Sequence, residues 1–177
     1  MLFLGHMGFG SALARPLTRG LERRWVLLGT VLPDLVDKPL YYALSLGTGR
    51  AGAELGLISG TRTFGHTGLL LALVALAALF SRSRVLLAVV LGMATHAPLD
   101  IGLDILSGKA ESSALLAFVF PLWGLRFDVL PFRNPLDHLW RLHPIHLVTE
   151  AIGLGLLAWG WRRTPRPAVE PIRPLPG

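Results

Sequence analysis

Histidines and aspartates occur at helical spacing inside apolar stretches of this 177-residue chain. His96 and Asp100 are four residues apart in GMATHAPLD, and Asp34 and Asp37 are three apart in VLPDLVDKP. Residues three or four apart lie on one face of a helix, with Cβ atoms about 5–6 Å apart. Imidazole nitrogens and carboxylate oxygens in such positions can converge on one cation. The spacing therefore predicts metal ligands.

Further histidines and one glutamate lie near the start of other apolar segments. His6 is in the first segment, His66 opens the third after TRTFG, and His146 and Glu150 are four apart in HPIHLVTE. Asp104 is expected at the water boundary. The predicted ligands are His6, Asp34, Asp37, His66, His96, Asp100, His146 and Glu150.

The expected cofactor is a divalent metal, with zinc as the first candidate. The chain has no cysteine, so every ligand must be a nitrogen or an oxygen. Zinc suits a mixed imidazole and carboxylate site and can lower the pKa of its bound water to ~7, which creates a nucleophile at neutral pH.

The same residues have roles that need no metal. Asp34 and Asp37 can cap a helix that begins at Pro33. His96 and Asp100 can form a neutral hydrogen-bonded pair or a proton relay. His6 can be incidental near the terminus, and His66 can cap a helix or lie at the membrane interface. His146 and Glu150 can simply occupy a helix entrance, where both are comfortable.

The composition predicts a membrane protein. Hydrophobic residues make up 52% of the chain and charged residues 16%, against roughly a quarter charged in soluble domains. A helix needs about 20 residues to span a bilayer. Segments 25–46 and 85–106 are long enough, 64–80 and 145–161 are marginal, and 2–14 and 113–125 are short.

The expected fold is an all-α, polytopic membrane helical bundle, placed in the inner (cytoplasmic) membrane. About five helices span the membrane, and residues 113–125 form a short re-entrant or interfacial segment. The integral-membrane domain covers residues 1–161, and the Pro/Arg-rich tail 162–177 is predicted to be disordered.

Arginines between the apolar segments set the expected orientation. Clusters of this kind face the cytoplasm, which puts the candidate ligands on the outer side of the membrane. The net charge of +6 does not predict nucleic-acid binding, because the arginines do not interleave with aromatic residues. The clusters are Arg15, Arg19, Arg23 and Arg24, then Arg82 and Arg84, then Arg162, Arg163 and Arg166.

One glycine-rich stretch needs a separate interpretation. Residues 47–52, GTGRAG, match a dinucleotide-binding fingerprint, but that motif requires a βαβ unit. A hydrophobic helix follows instead. The stretch is therefore predicted to be a loop.

Five short motifs follow one another over roughly residues 1–128. They are GHMGFG with His6, VLPDLVDKP with Asp34 and Asp37, TRTFGHTGLL with Arg62 and His66, GMATHAPLD with His96 and Asp100, and FPLWGLRFD with Arg126. In type and order these motifs resemble those of the inner-membrane-associated metal-dependent hydrolases of bacteria and archaea. The chain departs from that family at two positions. In LPDLVDK the second acidic residue is shifted by one and no histidine follows it, and Thr61 replaces a histidine.

The resemblance implies a membrane-embedded metal-dependent hydrolase. The order of the ligands is also similar to that of zinc-dependent phospholipase C and the P1-type nucleases, which implies His138 or His143 as a further ligand. Two ions ~3.5–4 Å apart can clamp a phosphoryl group. Arg62 is then expected as a catalytic residue that stabilises phosphate charge, with an ordinary interfacial anchor as its alternative role. The expected substrate is a phosphoester, with a phospholipid as one candidate, and membrane lipids are expected partners.

Two other functional classes fit the same residues. A transport protein for metal ions, other ions or protons needs polar groups on both sides of the membrane midplane. An inactive structural membrane protein keeps the scaffold without the chemistry. The inner halves of the predicted helices carry almost no acidic residues, which favours a closed enzyme site.

Overall fold

The computed structural model of the chain describes residues 2–109, 111–130 and 143–162. Two 3-10 turns, Gly52–Glu54 and Phe64–His66, lie between the second and third α-helices. No strand occurs in the described ranges, so the predicted all-α class is confirmed. The α-helices are α1 (Phe3–Ala14), α2 (Arg23–Thr48), α3 (Gly68–Ser81), α4 (Arg84–Leu106), α5 (Ser113–Phe118) and α6 (Pro144–Arg162).

Five of these helices coincide closely with the predicted apolar segments, and short polar residues mark where three of the six helices begin. Thr67, Ser83 and Ser112 each accept a hydrogen bond from a backbone N–H three residues later, at the starts of α3, α4 and α5. The segment predicted over 113–125 is helical only as far as Phe118. The local sequence therefore accounts for most helix boundaries.

The alternative that a helix begins at Pro33 is wrong. α2 begins at Arg23, and both Pro33 and Pro39 lie inside it. Asp34 and Asp37 are therefore in the middle of a helix, so neither of them caps its start.

Some predictions concern residues outside the described ranges. His138 is one of these residues, and 163–177 make up nearly all of the predicted tail. These predictions are not tested by the structure.

The helices differ in their ability to cross a bilayer. Within the described ranges, α4 is the one helix that is both long and apolar enough, with a mean hydropathy of 1.7. α1 and α3 have 12 and 14 residues, fewer than the ~20 that a span needs. The number of spanning helices therefore stays a prediction.

Glycines allow close contact between two pairs of helices. Gly29 of α2 meets the backbone of α4, where Gly92 lies, and Gly8 of α1 meets Gly153 of α6. Both pairs run parallel, and α1 and α6 run opposite to α2 and α4. The bundle thus has two ends. The N-terminal ends of α1, α3 and α6 form one of them. The other, called the arginine end, carries Arg15, Arg19, Arg24, Arg82 and Arg84.

Replacing Gly92 with alanine is expected to destabilise the bundle by about 1–3 kcal/mol, because the added methyl group overlaps the Val26 carbonyl oxygen. Thermal unfolding of the detergent-solubilised protein measures the effect. Gly102→Ala is the matched control, since it lies on the same helix with nothing within 4 Å of the new methyl group. Equal melting temperatures for the two variants would contradict this account of the packing.

The interior of the bundle is unusually polar. Among the described residues, buried polar or charged side chains are slightly more numerous than buried apolar ones. Large apolar side chains on α3 point outward, including Leu79 and Phe80, which are 69% and 86% exposed. Charged side chains such as aspartate are rarely fully buried unless they are paired, so the buried aspartates are the informative feature.

Candidate metal centre

Four predicted ligands meet inside the bundle. Asp34 comes from α2, His66 from the turn before α3, and His96 and Asp100 from α4. Nε2 of His66 lies 3.1 Å from Nε2 of His96, 3.4 Å from Oδ1 of Asp34 and 3.8 Å from Oδ2 of Asp100. Nε2 of His96 lies 3.9 Å from that Asp34 oxygen and 3.7 Å from that Asp100 oxygen. All four side chains are buried.

These separations fit ligands that share a metal ion. Zinc binds imidazole nitrogen and carboxylate oxygen at about 2.0–2.2 Å, which places the ligand atoms of a tetrahedron about 3.3–3.6 Å apart. The five distances, from 3.1 to 3.9 Å, bracket that value. The ligand atoms of Asp34, His66 and His96 lie within 4.8 Å of one another, so these three can hold one cation, and Asp100 is the candidate for a fourth ligand.

The other ring nitrogen of each histidine already has a partner. Nδ1 of His96 lies 2.7 Å from the carbonyl oxygen of Thr30, and Nδ1 of His66 lies 2.6 Å from Oδ2 of Asp37. Both partners accept hydrogen bonds, so each Nδ1 carries the proton. When neutral, both rings present the Nε2 lone pair to the centre, as metal-binding histidines do.

Asp37 is held by the turn that carries His66. Its carboxylate accepts hydrogen bonds from the backbone N–H groups of Thr63 and Gly65 at 2.7 and 2.8 Å, and from the Thr63 hydroxyl at 2.9 Å. A side chain on Gly65 would collide with the carbonyl of Pro33. The structure thus places Asp37 behind His66, on the side away from the centre.

His6 lies next to the four ligands. Its ring stacks on that of His96 with 3.7 Å between centroids, and its Nε2 lies 3.1 Å from Oδ1 of Asp100. Within the described residues, neither ring nitrogen of this fully buried side chain makes an aligned hydrogen bond. His6, His96 and Asp100 therefore form a second group with ligand spacing.

Arg62 contacts both Asp100, one of the four ligands, and Asp104, which lies near the end of α4. Its Nε lies 3.0 Å from Oδ2 of Asp100, and its Nη1 donates to both oxygens of Asp104 and to the Ser113 hydroxyl. Burial lowers the pKa of Arg62, but the charges of these two aspartates outweigh burial and raise it. Asp104, expected at the water boundary, is instead buried, because Arg62 and Lys109 neutralise it.

Lys38 is a site residue that the sequence analysis missed. Its Nζ donates to Oδ2 of Asp34 at 2.6 Å, which leaves Oδ1 facing the centre. The ammonium group also lies over the ring of Phe3, 5.1 Å from its centroid. The spacing of four residues between Asp34 and Lys38 is the signal that could have revealed the pair.

The remaining predicted ligands lie apart from the four. Both oxygens of Glu150 accept backbone hydrogen bonds at 2.8 Å, from Leu4 and Gly5, and so cap the start of α1. His143 is exposed and accepts a hydrogen bond from its own turn. His146 is half-buried and lines the cavity beside the centre.

A cavity of about 380 Å³ opens next to the centre. Its polar wall includes Asp34, Lys38, Arg62, Asp100 and Lys109. Its apolar wall is larger and consists of Leu2, Phe3, Pro39, Tyr42 and Leu130. A molecule with a charged group and an apolar part fits these two walls.

The chain matches no protein family, no curated protein and no solved structure. The family resemblance therefore stays a prediction that rests on the motifs, and the centre is interpreted from its own geometry.

Proposed function

We propose that this chain is a membrane-embedded, metal-dependent hydrolase that acts on a phosphoester. One observation carries the proposal: the Nε2 atoms of His66 and His96 face each other at 3.1 Å while both Nδ1 atoms are engaged elsewhere. When both imidazoles are neutral, two Nε2 lone pairs face each other, and a cation shared between them replaces that repulsion with coordination. Without a cation, the same 3.1 Å separation fits a hydrogen bond from a protonated ring to a neutral one. Asp34 and Asp100 complete the proposed ligand set.

The donor set fits a divalent metal such as zinc. When bound, such an ion supplies Lewis acidity, which polarises a phosphoryl oxygen and acidifies water. The chain itself holds the donors in position. Asp37 and the Thr30 carbonyl orient the two rings, and Lys38 holds one oxygen of Asp34 so that the other faces the centre.

The cations around the cavity can bind an anionic substrate. Lys38, Arg62 and Lys109 lie against five carboxylates on or beside the cavity wall, which are Asp34, Asp37, Asp100, Asp104 and Asp128. A bound divalent ion changes this balance from two negative charges in excess to zero, so the acidic cluster no longer repels an anion. Within the described residues, Nη2 of Arg62 has no partner, so it can donate to a phosphate oxygen.

The apolar wall of the cavity favours a phosphoester with an apolar part. Phe3, Pro39 and Tyr42 line it beside the cationic Lys38. Burial of apolar surface stabilises binding by roughly 25 cal/mol per Å². A lipid phosphoester places its head at the centre and its apolar portion against this wall.

Placement in a membrane accounts for the polar interior and for the large apolar side chains on the surface. α3 is 14 residues long, so it rises about 21 Å from the arginine end to the turn that carries His66. With that end in the cytoplasm, the centre lies in the outer third of a ~30 Å hydrocarbon core. Exposed Leu122, Trp123 and Leu125 after α5 suit an interfacial segment. α2, α4 and α6 then span the bilayer, while α1 and α3 reach from the arginine end to the centre.

A transport path suits the structure less well than a closed site. A path needs polar groups along the whole membrane. Among the described residues, the buried acidic side chains are Asp34, Asp37, Asp100 and Asp104, and all belong to the one cluster. This grouping favours chemistry at a fixed position.

The test combines metal analysis with hydrolysis assays on the full chain purified in detergent. We expect bound divalent metal, and hydrolysis of a synthetic phosphoester or a short-chain phospholipid that a chelator abolishes and zinc restores. His96→Ala and Asp100→Ala should lose both properties, whereas His143→Ala should keep them. Unchanged metal content in the first two variants would refute the ligand assignment. Metal binding without hydrolysis of either phosphoester would refute the proposed hydrolase activity.

A further inference from the structure

A second cavity, of about 390 Å³, lies at the arginine end of the bundle. It is enclosed by the end of α1, the α1–α2 connection and the last turns of α6. Arg15, Arg19 and Arg23 line it together with Trp159. Its position is remote from the metal centre, because His6 and Glu150 lie at the opposite ends of α1 and α6.

The charges of this cavity are not compensated by the protein. Its lining contains three arginines and no acidic side chain. Within the described residues, none of the three forms an ion pair, whereas neighbouring Arg24 pairs with Glu22. The cavity beside the metal centre differs, because each of its cations contacts an aspartate there.

The three arginines have guanidinium N–H groups that are available to bind a ligand. Arg23 is half-buried, and its one hydrogen bond in the described structure is long, from Nη2 to the Leu157 carbonyl oxygen at 3.4 Å. Arg15 and Arg19 are exposed. Guanidinium groups bind phosphate oxygens through paired N–H donors. Three such groups around one cavity therefore form a suitable phosphate site.

The apolar lining identifies the source of the phosphate. Leu21, Val26, Leu156 and Trp159 contribute to the wall, so the cavity offers contacts for glycerol and the start of acyl chains. Basic pockets between membrane helices on the cytoplasmic side bind the head groups of anionic lipids. We infer that this cavity binds the phosphate head group of an anionic phospholipid of the cytoplasmic leaflet. The inference rests on the proposed membrane placement and does not depend on hydrolysis.

The test measures binding of short-chain phosphatidylglycerol to the full chain in detergent, with short-chain phosphatidylcholine and inorganic phosphate as separate probes. We expect saturable binding of phosphatidylglycerol and weaker binding of the other two. Each arginine near an anionic lipid contributes about 1 kcal/mol, so each replacement by glutamine should weaken binding roughly fivefold. The triple variant Arg15→Gln/Arg19→Gln/Arg23→Gln should weaken binding roughly 100-fold.

A matched triple variant, Arg24→Gln/Arg82→Gln/Arg84→Gln, removes the same charge near the same end but outside the cavity lining. It should bind phosphatidylglycerol nearly as tightly as the unaltered chain. Equal losses in the two triple variants, or equal binding of phosphatidylcholine, would overturn the site. Inorganic phosphate binding as tightly as the lipid would overturn the lipid assignment.

Two further sets of variants address misfolding of the triple variant and independence from the metal centre. Single variants at the exposed Arg15 and Arg19 replace the triple variant if it does not fold. His96→Ala separates the two proposals, because it should lose metal and hydrolysis while it retains the lipid. Loss of lipid binding in that folded variant would count against a site independent of the metal centre.

Discussion

Replacing His66 with glutamine is expected to weaken metal binding more than 100-fold, and replacing Asp37 with asparagine to weaken it 10–100-fold. His66 offers Nε2 directly to the centre, whereas Asp37 orients the ring through Nδ1 at 2.6 Å. Outer partners of metal-bound histidines typically contribute 10–100-fold to affinity, and a direct ligand should exceed that range. Zinc titration against a competing chelator measures both effects.

The double variant separates the two roles. If Asp37 acts only through His66, the variant His66→Gln/Asp37→Asn should bind metal no more weakly than His66→Gln alone. Additive losses would instead make Asp37 a ligand in its own right, as the sequence analysis predicted. His143→Gln is the control, because that histidine is exposed and lies away from the centre.

Replacing Arg62 with methionine is expected to lower the free energy of unfolding by about 3–5 kcal/mol. The guanidinium group contacts Asp100 and Asp104, both of which are buried, and its loss leaves two carboxylates inside the bundle without this partner. Breaking a buried ion pair by removing one partner typically costs that much. Denaturant unfolding of the detergent-solubilised protein, with and without metal, measures the change.

Lys109→Met provides the comparison. This lysine contacts the same Asp104, but its side chain is 47% exposed, so its loss should cost only about 0–1 kcal/mol. Similar losses in the two variants would contradict the view that Arg62 is the buried counter-charge of the centre. A stable Arg62→Met variant that binds metal but does not hydrolyse phosphoesters would instead support a role for Arg62 in binding substrate.

The sequence could predict contacts within one helix, because helix geometry is local. His96 and Asp100 share a face whenever α4 forms, and both reach the centre. The spacing of His146 and Glu150 is identical, yet α6 packs on α1 so that Glu150 caps the start of that helix. Spacing therefore predicts which side chains lie together, but it does not predict what they face.

Composition and spacing by themselves determined the all-α class, most helix boundaries and the residue types of the centre, since each depends on hydropathy or on the helical repeat. Tertiary structure decided which ligands converge. Asp34 reaches His96 because Gly29 and Gly92 allow α2 and α4 to pack closely, and Asp37 lies behind His66 because the turn at 63–66 closes around it. Distances between helices depend on packing across the whole bundle, which no short stretch of sequence encodes.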